Sequence, residues 1–266
     1  MSASLYRQPS RTAWAIGIVI AALYAGACSG GDDQSTTTEL SVSDLVSVLA
    51  DPAAATDCEL DPSGFPQLAC GARATSAAEA LGNSGDPAAV PALAQAIWDP
   101  ETYPGAEEAS WQALEKIGGP DVVAVLVETI TTADSALDAN RAAGLLGDLG
   151  GVEHNQILAE GGGSGGGSGY FTALVTINRD DATPLLPYLE DAHTYWVYGP
   201  LIAIGQDDTE EAVAATLPRW GDSTMAETFL NSGNALLEQT AQEWAAAHGY
   251  AITKLPGLGS VTWNSD

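Results

Sequence analysis

The side chains with the chemistry for catalysis or metal binding are few and scattered. There are 3 histidines, His154, His193 and His248, and 3 cysteines, Cys28, Cys58 and Cys70. A Ser-His-acid triad needs a nucleophile and a carboxylate gathered around one imidazole, and no spacing in the chain gathers them. His193 with Asp191 places two metal-ligand types side by side, too few for a site of three or four donors. A histidine at a surface helix junction accounts for the pair better. His248, beside Gly249, fits the C-terminal turn of a helix. The run Gly161–Gly169 formally contains G-x-S-x-G around Ser164 and G-x-G-x-x-G from Gly161 to Gly166. Both motifs require a preceding strand, and none is predicted there. The composition is that of a flexible linker.

Carboxylates cluster at Asp180-Asp181 and at Asp207-Asp208-Thr209-Glu210-Glu211. Each cluster precedes a predicted helix, where acids cap free amides and complement the helix dipole. Calcium binding is the alternative, although the D-x-D-x-D-G spacing of an EF-hand is absent. No catalytic residue, metal ligand or cofactor is therefore expected, and the chain is not expected to be an enzyme. The aromatic residues offer the best candidate partner surface: Tyr195, Trp196 and Tyr198, with Tyr170 and Phe171. Aromatic anchors dominate binding energy at interfaces, while core packing is the competing use of the same rings.

Charge narrows the partners further. Of 266 residues, 35 are acidic and 8 basic, a net charge of −27. A field of that sign repels nucleic acid and anionic lipid surfaces. It favours cationic partners and divalent ions, and it maintains solubility.

The N-terminus has the layout of an export signal. Arg7 and Arg11 precede a short apolar run from Trp14 to Tyr24, which is too short to span a bilayer comfortably. Ala25-Gly26-Ala27 then leads into Cys28. This resembles the lipobox of bacterial lipoproteins, with Ala25 where Leu is commoner. The resemblance implies cleavage before Cys28 and a diacylglycerol on its thiol; an uncleaved anchor is the alternative. Residues 28–39 are small and polar and read as a disordered tether. Multiple acyl chains on one residue suffice for stable anchoring. Of the remaining cysteines, Cys58 and Cys70 bracket a short Pro/Gly-containing segment. An even pair in an exported chain is most simply a disulfide, worth about 3 kcal/mol on chain entropy. Half of a metal site is the alternative, without nearby histidines.

What must position any site is a helical repeat. Leu81, Gly85 and Leu93 recur as Leu114, Gly118 and Leu126 at an offset of 33, and as Leu146, Gly150 and Leu158 at a further 32. Each unit reads as helix, tight turn, helix. Ala106, Ala109 and Ala113 give the first helix a small-residue side. Trp111, Leu114 and Ile117 continue an apolar stripe. The glycine closes that helix in a left-handed conformation, and Pro87 or Pro120 begins the next. Val122, Val123, Leu126 and Ile130 give the second helix its buried face. Looser copies follow at 173–189 and 201–217. One hairpin cannot bury both faces, so neighbours must stack.

The pattern, and Leu81-Gly82-Asn83-Ser84-Gly85-Asp86-Pro87 in particular, resembles HEAT repeats of the short kind first named after phycobilisome lyases. The resemblance implies an all-α, right-handed α-solenoid of roughly five HEAT-like hairpins with a C-terminal capping helix, and implies no lyase activity. Asn231 to Asn234 supply caps for that last helix, whose Leu237, Ala241 and Trp244 share one face. Ser41 and Asp44 form a capping-box pattern opening an entry helix.

The expected organisation is a signal peptide at 1–27, a tether at 28–39 and an entry helix with a disulfide loop at 40–72. The repeat domain follows at 73–250, with a flexible loop at 161–169, and then a tail at 251–266. The expected function is that of an extracytoplasmic interaction scaffold, lipid-anchored through Cys28 to the cell membrane, or to the outer membrane if the host has one. Its partner would be an unknown protein or peptide of the cell envelope. An ion- or ligand-binding envelope protein is the alternative, followed by an unrecognised hydrolase.

Overall fold

The computed structural model describes residues 40–50, 68–98, 106–163, 167–190, 193–254 and 261–264. The described residues beyond Leu40 form one compact unit of helices. Cys28 and Cys58 lie outside the described residues, as does the Cys70 side chain, so the lipidation and disulfide expectations fall there too.

Helix α1 spans Val42–Ala50. Its capping box forms: the Asp44 amide donates to Ser41 Oγ at 3.2 Å, and the Ser41 amide donates to Asp44 Oδ2 at 3.1 Å. Bonding from Ser41 holds the Asp44 carboxyl below its ordinary pKa. The first repeat pairs α2 (Leu68–Ser84) with a 3-10 turn at Pro87–Ala89 and α3 (Val90–Trp98). The second pairs α4 (Ala106–Ile117) with α5 (Gly119–Thr132). The third pairs α6 (Ala136–Leu149) with α7 (Asn155–Gly163), after a 3-10 turn at Val152–His154. In the fourth, α8 (Ser168–Ile177) is followed by a 3-10 helix, Thr183–Glu190, in place of an α-helix. Then come α9 (Thr194–Ile204), α10 (Glu210–Ala214) and α11 (Thr216–Trp220). A final hairpin joins α12 (Ser223–Leu230) to α13 (Ala235–His248). This is an all-α solenoid.

The repeat leucines are its spine. Leu81, Leu114 and Leu146 on the first helices, and Leu93, Leu126 and Leu158 on the second, are all fully buried in one continuous core. Small residues let the first helices approach closely. Ala74, Ala77 and Ala78 on α2 and Ala106, Ala109 and Ala113 on α4 are buried. A Cβ added at Gly82 would lie 2.6 Å from Ala113 Cα. Between α4 and α6 the join is different. Arg141 lays its guanidinium 5.2 Å from the centre of the Trp111 ring and grips Glu108 with both terminal nitrogens, at 2.6 and 2.9 Å. Glu108 and Arg141 are 33 residues apart, one repeat length. The guanidinium holds the Glu108 carboxyl below its ordinary range. Further along, Asn155 and Asn178 exchange amide hydrogen bonds of 2.9 Å in both directions and tie α7 to the end of α8.

The turns largely follow local chemistry. Gly85 and Gly118 both have positive φ, 67° and 59°, which favours glycine, although Gly118 is at ψ −162° and so outside the left-handed helical conformation expected of it. Gly150, the third copy, is instead extended at φ −92°, and the chain passes through Gly151, also extended, into the 3-10 turn. Asp86 caps the turn holding Pro87 by accepting from the Ala88 amide at 2.9 Å. Asp181 caps the head of the 3-10 helix by accepting from the Thr183 amide at 2.9 Å, whereas α10 has no side-chain cap bond and Glu210 and Glu211 stand in its first turn, where carboxylates complement the helix dipole. Asn234 caps α13 by accepting from the Leu237 amide at 3.0 Å, while Leu237, Ala241 and Trp244 bury the shared face. Asn234→Ala should cost about 1 kcal/mol of stability. Asn234→Gly, which keeps the backbone option open, should cost only a few tenths. Equal denaturation midpoints for the wild type and the Ala variant would argue that the cap contributes nothing.

The expectation of a flexible loop over 161–169 is corrected at both ends. Helix α7 runs through Gly161 and Gly162 to Gly163, and α8 begins at Ser168; residues 164–166 lie outside the described residues. The glycines are helical because neighbouring groups occupy the space of a Cβ. At Gly161 that space is filled by the Tyr170 ring, and at Gly169 by the Asn140 carbonyl. The Gly169 amide donates to Asn140 Oδ1 at 2.7 Å. Close packing here offsets the roughly 1 kcal/mol that glycine costs a helix.

Candidate functional site

The five aromatic residues singled out from the sequence converge on one groove. Helix α8 brings Tyr170 and Phe171, and α9 brings Tyr195, Trp196 and Tyr198. The groove has a volume of about 340 Å³. Leu158, Leu174, Pro200 and Val261 add apolar wall, and Thr228 adds a hydroxyl. One expectation needs correcting: Tyr170 and Tyr198 are 5% and 7% exposed, so they form inner wall rather than open surface. Both sit on helix faces turned to the core, where Tyr198 meets Phe229 edge-to-face at 6.0 Å. Phe171 and Trp196 are half-buried, and Tyr195 is 44% exposed. The outer rings hold each other edge-to-face. Tyr195 lies 5.2 Å from Trp196 and 6.0 Å from Tyr198.

Two glycines and a proline, missed in the sequence, shape the groove. Gly162 and Gly199 both line it. A Cβ at Gly162 would stand 3.3 Å from Trp196 Cβ, and one at Gly199 would stand 3.2 Å from the Phe171 ring. Larger residues there would press on the rings. Pro200 sits inside α9. Its nitrogen has no hydrogen, so the Trp196 carbonyl loses its helical donor. Val261 comes from the far C-terminus. The Trp263 amide donates to the Ser232 carbonyl at 2.7 Å and the Asn264 amide to the Ile202 carbonyl at 3.2 Å. Gly205, left-handed at φ 64°, leaves the room that Asn264 occupies. No signal in the sequence marks that return; only contact geometry reveals it.

Burial pushes the Tyr198 phenol up to about 12, against a partly opposing hydrogen bond with Thr228, and pushes the Tyr170 phenol up as well. The sign for stability follows. Below about pH 10 the Tyr198 proton is held in both the folded and the unfolded chain. Between pH 10 and about 12 the unfolded chain releases it first, so stability falls as pH rises. Tyr198→Phe should lose less stability across that window than the wild type, measured by urea unfolding. Parallel pH profiles would contradict the assignment.

Among the described residues, the three histidines are held apart, each by local contacts. His154 Nδ1 lies 3.3 Å from the Gly151 amide. His193 meets Tyr188 edge-to-face at 6.4 Å. His248 bonds the Trp244 carbonyl at 2.8 Å and stacks on the Trp244 ring at 4.4 Å. Ser164 and Asp191 lie outside the described residues. Among the described residues, no three His, Cys, Asp or Glu side chains gather as a metal site. A second, shallower cleft of about 200 Å³ lies where Arg141 bridges α4 and α6, lined by Trp111, Glu115, Arg141, Leu145 and Asp148. It holds charges of both signs.

The helical hairpins stacked on buried leucines at one-repeat spacing decide the kinship of this part of the chain. Residues 72–147 match the family model of HEAT repeats. The match covers the α2/α3 and α4/α5 hairpins and most of α6. Beyond it the HEAT-like pairing continues with looser elements, the 3-10 helix among them. No curated protein matches the chain. HEAT repeats commonly serve as protein-interaction scaffolds, since a stack of hairpins presents an extended surface. Among the described residues no helix is long and apolar enough to cross a membrane.

Proposed function

We propose that this protein is a tethered scaffold that docks a partner protein of the cell envelope in the aromatic groove between α8 and α9. The observation that carries this reading is the convergence of Phe171, Tyr195 and Trp196, partly open, on one apolar groove in a HEAT-like solenoid. Half-exposed aromatic rings against a rigid wall are the usual anchors of an interface. Function by binding rather than catalysis is supported by the separate placement of the three histidines, each engaged locally.

The tether is part of the same proposal. Arg7 and Arg11, the apolar run and Ala25-Gly26-Ala27-Cys28 support export and lipidation at Cys28. The solenoid would then stand outside the cytoplasm on a short polar leash, and Cys58 and Cys70 would be free to pair in an oxidising compartment. An ion- or ligand-binding role draws no comparable support: Asp181 is engaged as a helix cap, and among the described residues the acids do not gather in groups of three.

The test is capture from detergent-solubilised envelopes with wild type, a Phe171→Ala/Tyr195→Ala variant and Cys28→Ala. A stoichiometric partner retained by the wild type and lost by the aromatic variant, with helical content unchanged, supports docking in the groove. A partner held equally by both moves the interface elsewhere. Cys28→Ala should leave the membrane fraction; if it stays there, the lipid anchor is wrong.

A further inference from the structure

We infer that the occupant of the aromatic groove is a cationic side chain, arginine or lysine, projecting from the partner polypeptide; this rests on the groove being the docking surface. Three independent features select that chemistry. The first is the rings. Phe171, Tyr195 and Trp196 are partly open, and Tyr195 stands edge-to-face to both Trp196 and Tyr198 at 5.2 and 6.0 Å. Rings set at steep angles turn faces in several directions, and an aromatic face attracts a cation through its quadrupole. The same chain already uses this contact internally, where Arg141 lies over Trp111 at 5.2 Å.

The second feature is the backbone. Pro200 cannot donate to the Trp196 carbonyl. The carbonyl of Trp196, a groove residue, therefore lacks its usual helical donor, and an N–H from an occupant would supply one. Arginine and lysine carry only donors at their heads. Gly199, next to it, adds no side chain to obstruct the approach.

The third is charge. Among the described residues, no side chain lining the groove carries a charge, so none of them repels a cation or neutralises one. The surrounding field is strongly negative: 35 acids against 8 bases, net −27. Asp222 acts on Tyr198 from nearby and makes that phenol harder to ionise. A field of this sign raises the local concentration of cations at an uncharged apolar groove. A neutral aromatic or aliphatic anchor would gain from the rings and nothing from the field. An acidic anchor would be repelled. Arginine suits the groove better than lysine, because its planar, weakly hydrated head stacks on rings while still donating.

The experiment uses the mature protein labelled with fluorotryptophan, with the Trp196 resonance assigned from Trp196→Phe. Three capped tripeptides serve as probes: alanine-arginine-alanine, its neutral citrulline counterpart, and alanine-glutamate-alanine. The arginine probe should shift the Trp196 resonance saturably, and citrulline should bind roughly two- to thirty-fold more weakly, the range of a cation–π contact. Added salt should weaken the arginine probe only. Tyr195→Leu, at an exposed position, should reduce arginine binding several-fold while the other tryptophan signals stay in place. Equal binding of arginine and citrulline overturns the cationic occupant and leaves groove docking standing. A Trp196 shift that follows protein concentration without peptide assigns the groove to a second copy of this chain and also overturns it. If no probe moves Trp196, the cationic occupant is wrong, and the Phe171→Ala/Tyr195→Ala capture decides separately whether anything docks there.

Discussion

Trp111→Ala lowers stability by about 3–5 kcal/mol, the cost of truncating a large buried aromatic. The side chain is 2% exposed and lies where α4 meets α6. Two losses combine there. The ring leaves a cavity beside Leu114 and its neighbours, and Arg141 loses the surface that orients it toward Glu108. The salt bridge itself is a small part of the effect, since both partners are substantially exposed. Trp111→Phe should cost much less, under about 1.5 kcal/mol for an apolar swap of related shape. The indole N–H has no hydrogen-bond partner among the described residues, so no bond is lost with it. Trp220→Ala, at a position 54% exposed, is the control and should be near neutral. Urea unfolding measures all three. A Trp111→Ala cost below that of Trp111→Phe would mean that the α4–α6 join does not depend on the ring. Solenoids unfold by neighbouring units, so hydrogen exchange should show the loss concentrated in α4 and α6.

The second large effect is a reversal of sign between two glycines on one helix. Gly144→Ala should stabilise by about 0.5–1 kcal/mol, the ordinary gain on replacing a helical glycine. Its new Cβ would lie 3.7 Å from Gly169 Cα, an ordinary contact. Gly147→Ala should instead destabilise by about 1–3 kcal/mol. Its Cβ would lie 2.6 Å from Ala173 Cα and 3.0 Å from Ala173 Cβ. The obstacle is backbone, so α6 and α8 must separate to admit it. Helix propensity is the same at both positions, so the comparison isolates packing. Two changes of the same sign would show that the close approach does not limit stability.

The contrast between these glycines was not legible in advance, but the repeat spine was. Leu81, Leu114 and Leu146 recur at one-repeat spacing because each occupies the same place in its hairpin, so periodicity alone located the spine. Caps were legible for the same local reason. Ser41 with Asp44, Asp86 before Pro87 and Asn234 before α13 act on amides two or three residues away. Gly150 departed from its copies, adopting an extended backbone although it occupies the same repeat position. The glycine run at 161–169 read as a linker because composition reports intrinsic freedom. The packing at its ends comes from Tyr170, folded back from the start of α8 onto Gly161, and from Asn140 on α6.

The aromatic groove divides in the same way. Tyr195, Trp196 and Tyr198 share a helix, so their adjacency was readable. Which of them face the core was not, because α9 is apolar on nearly all sides and its pattern points nowhere. The return of Val261 to the groove wall was invisible for a further reason: a short segment without helical period carries no record of its contacts.

By itself, the sequence determined the helices, their caps, the repeat length and the acidic field. Each depends on residues within a turn or two, on equivalent places in successive hairpins, or on a simple sum of charges. The tertiary structure alone decided how close the helices approach, which aromatic rings stay open and what closes the groove. Those outcomes depend on side chains distant in sequence competing for the same space, and steric exclusion between them leaves no periodic trace in either segment.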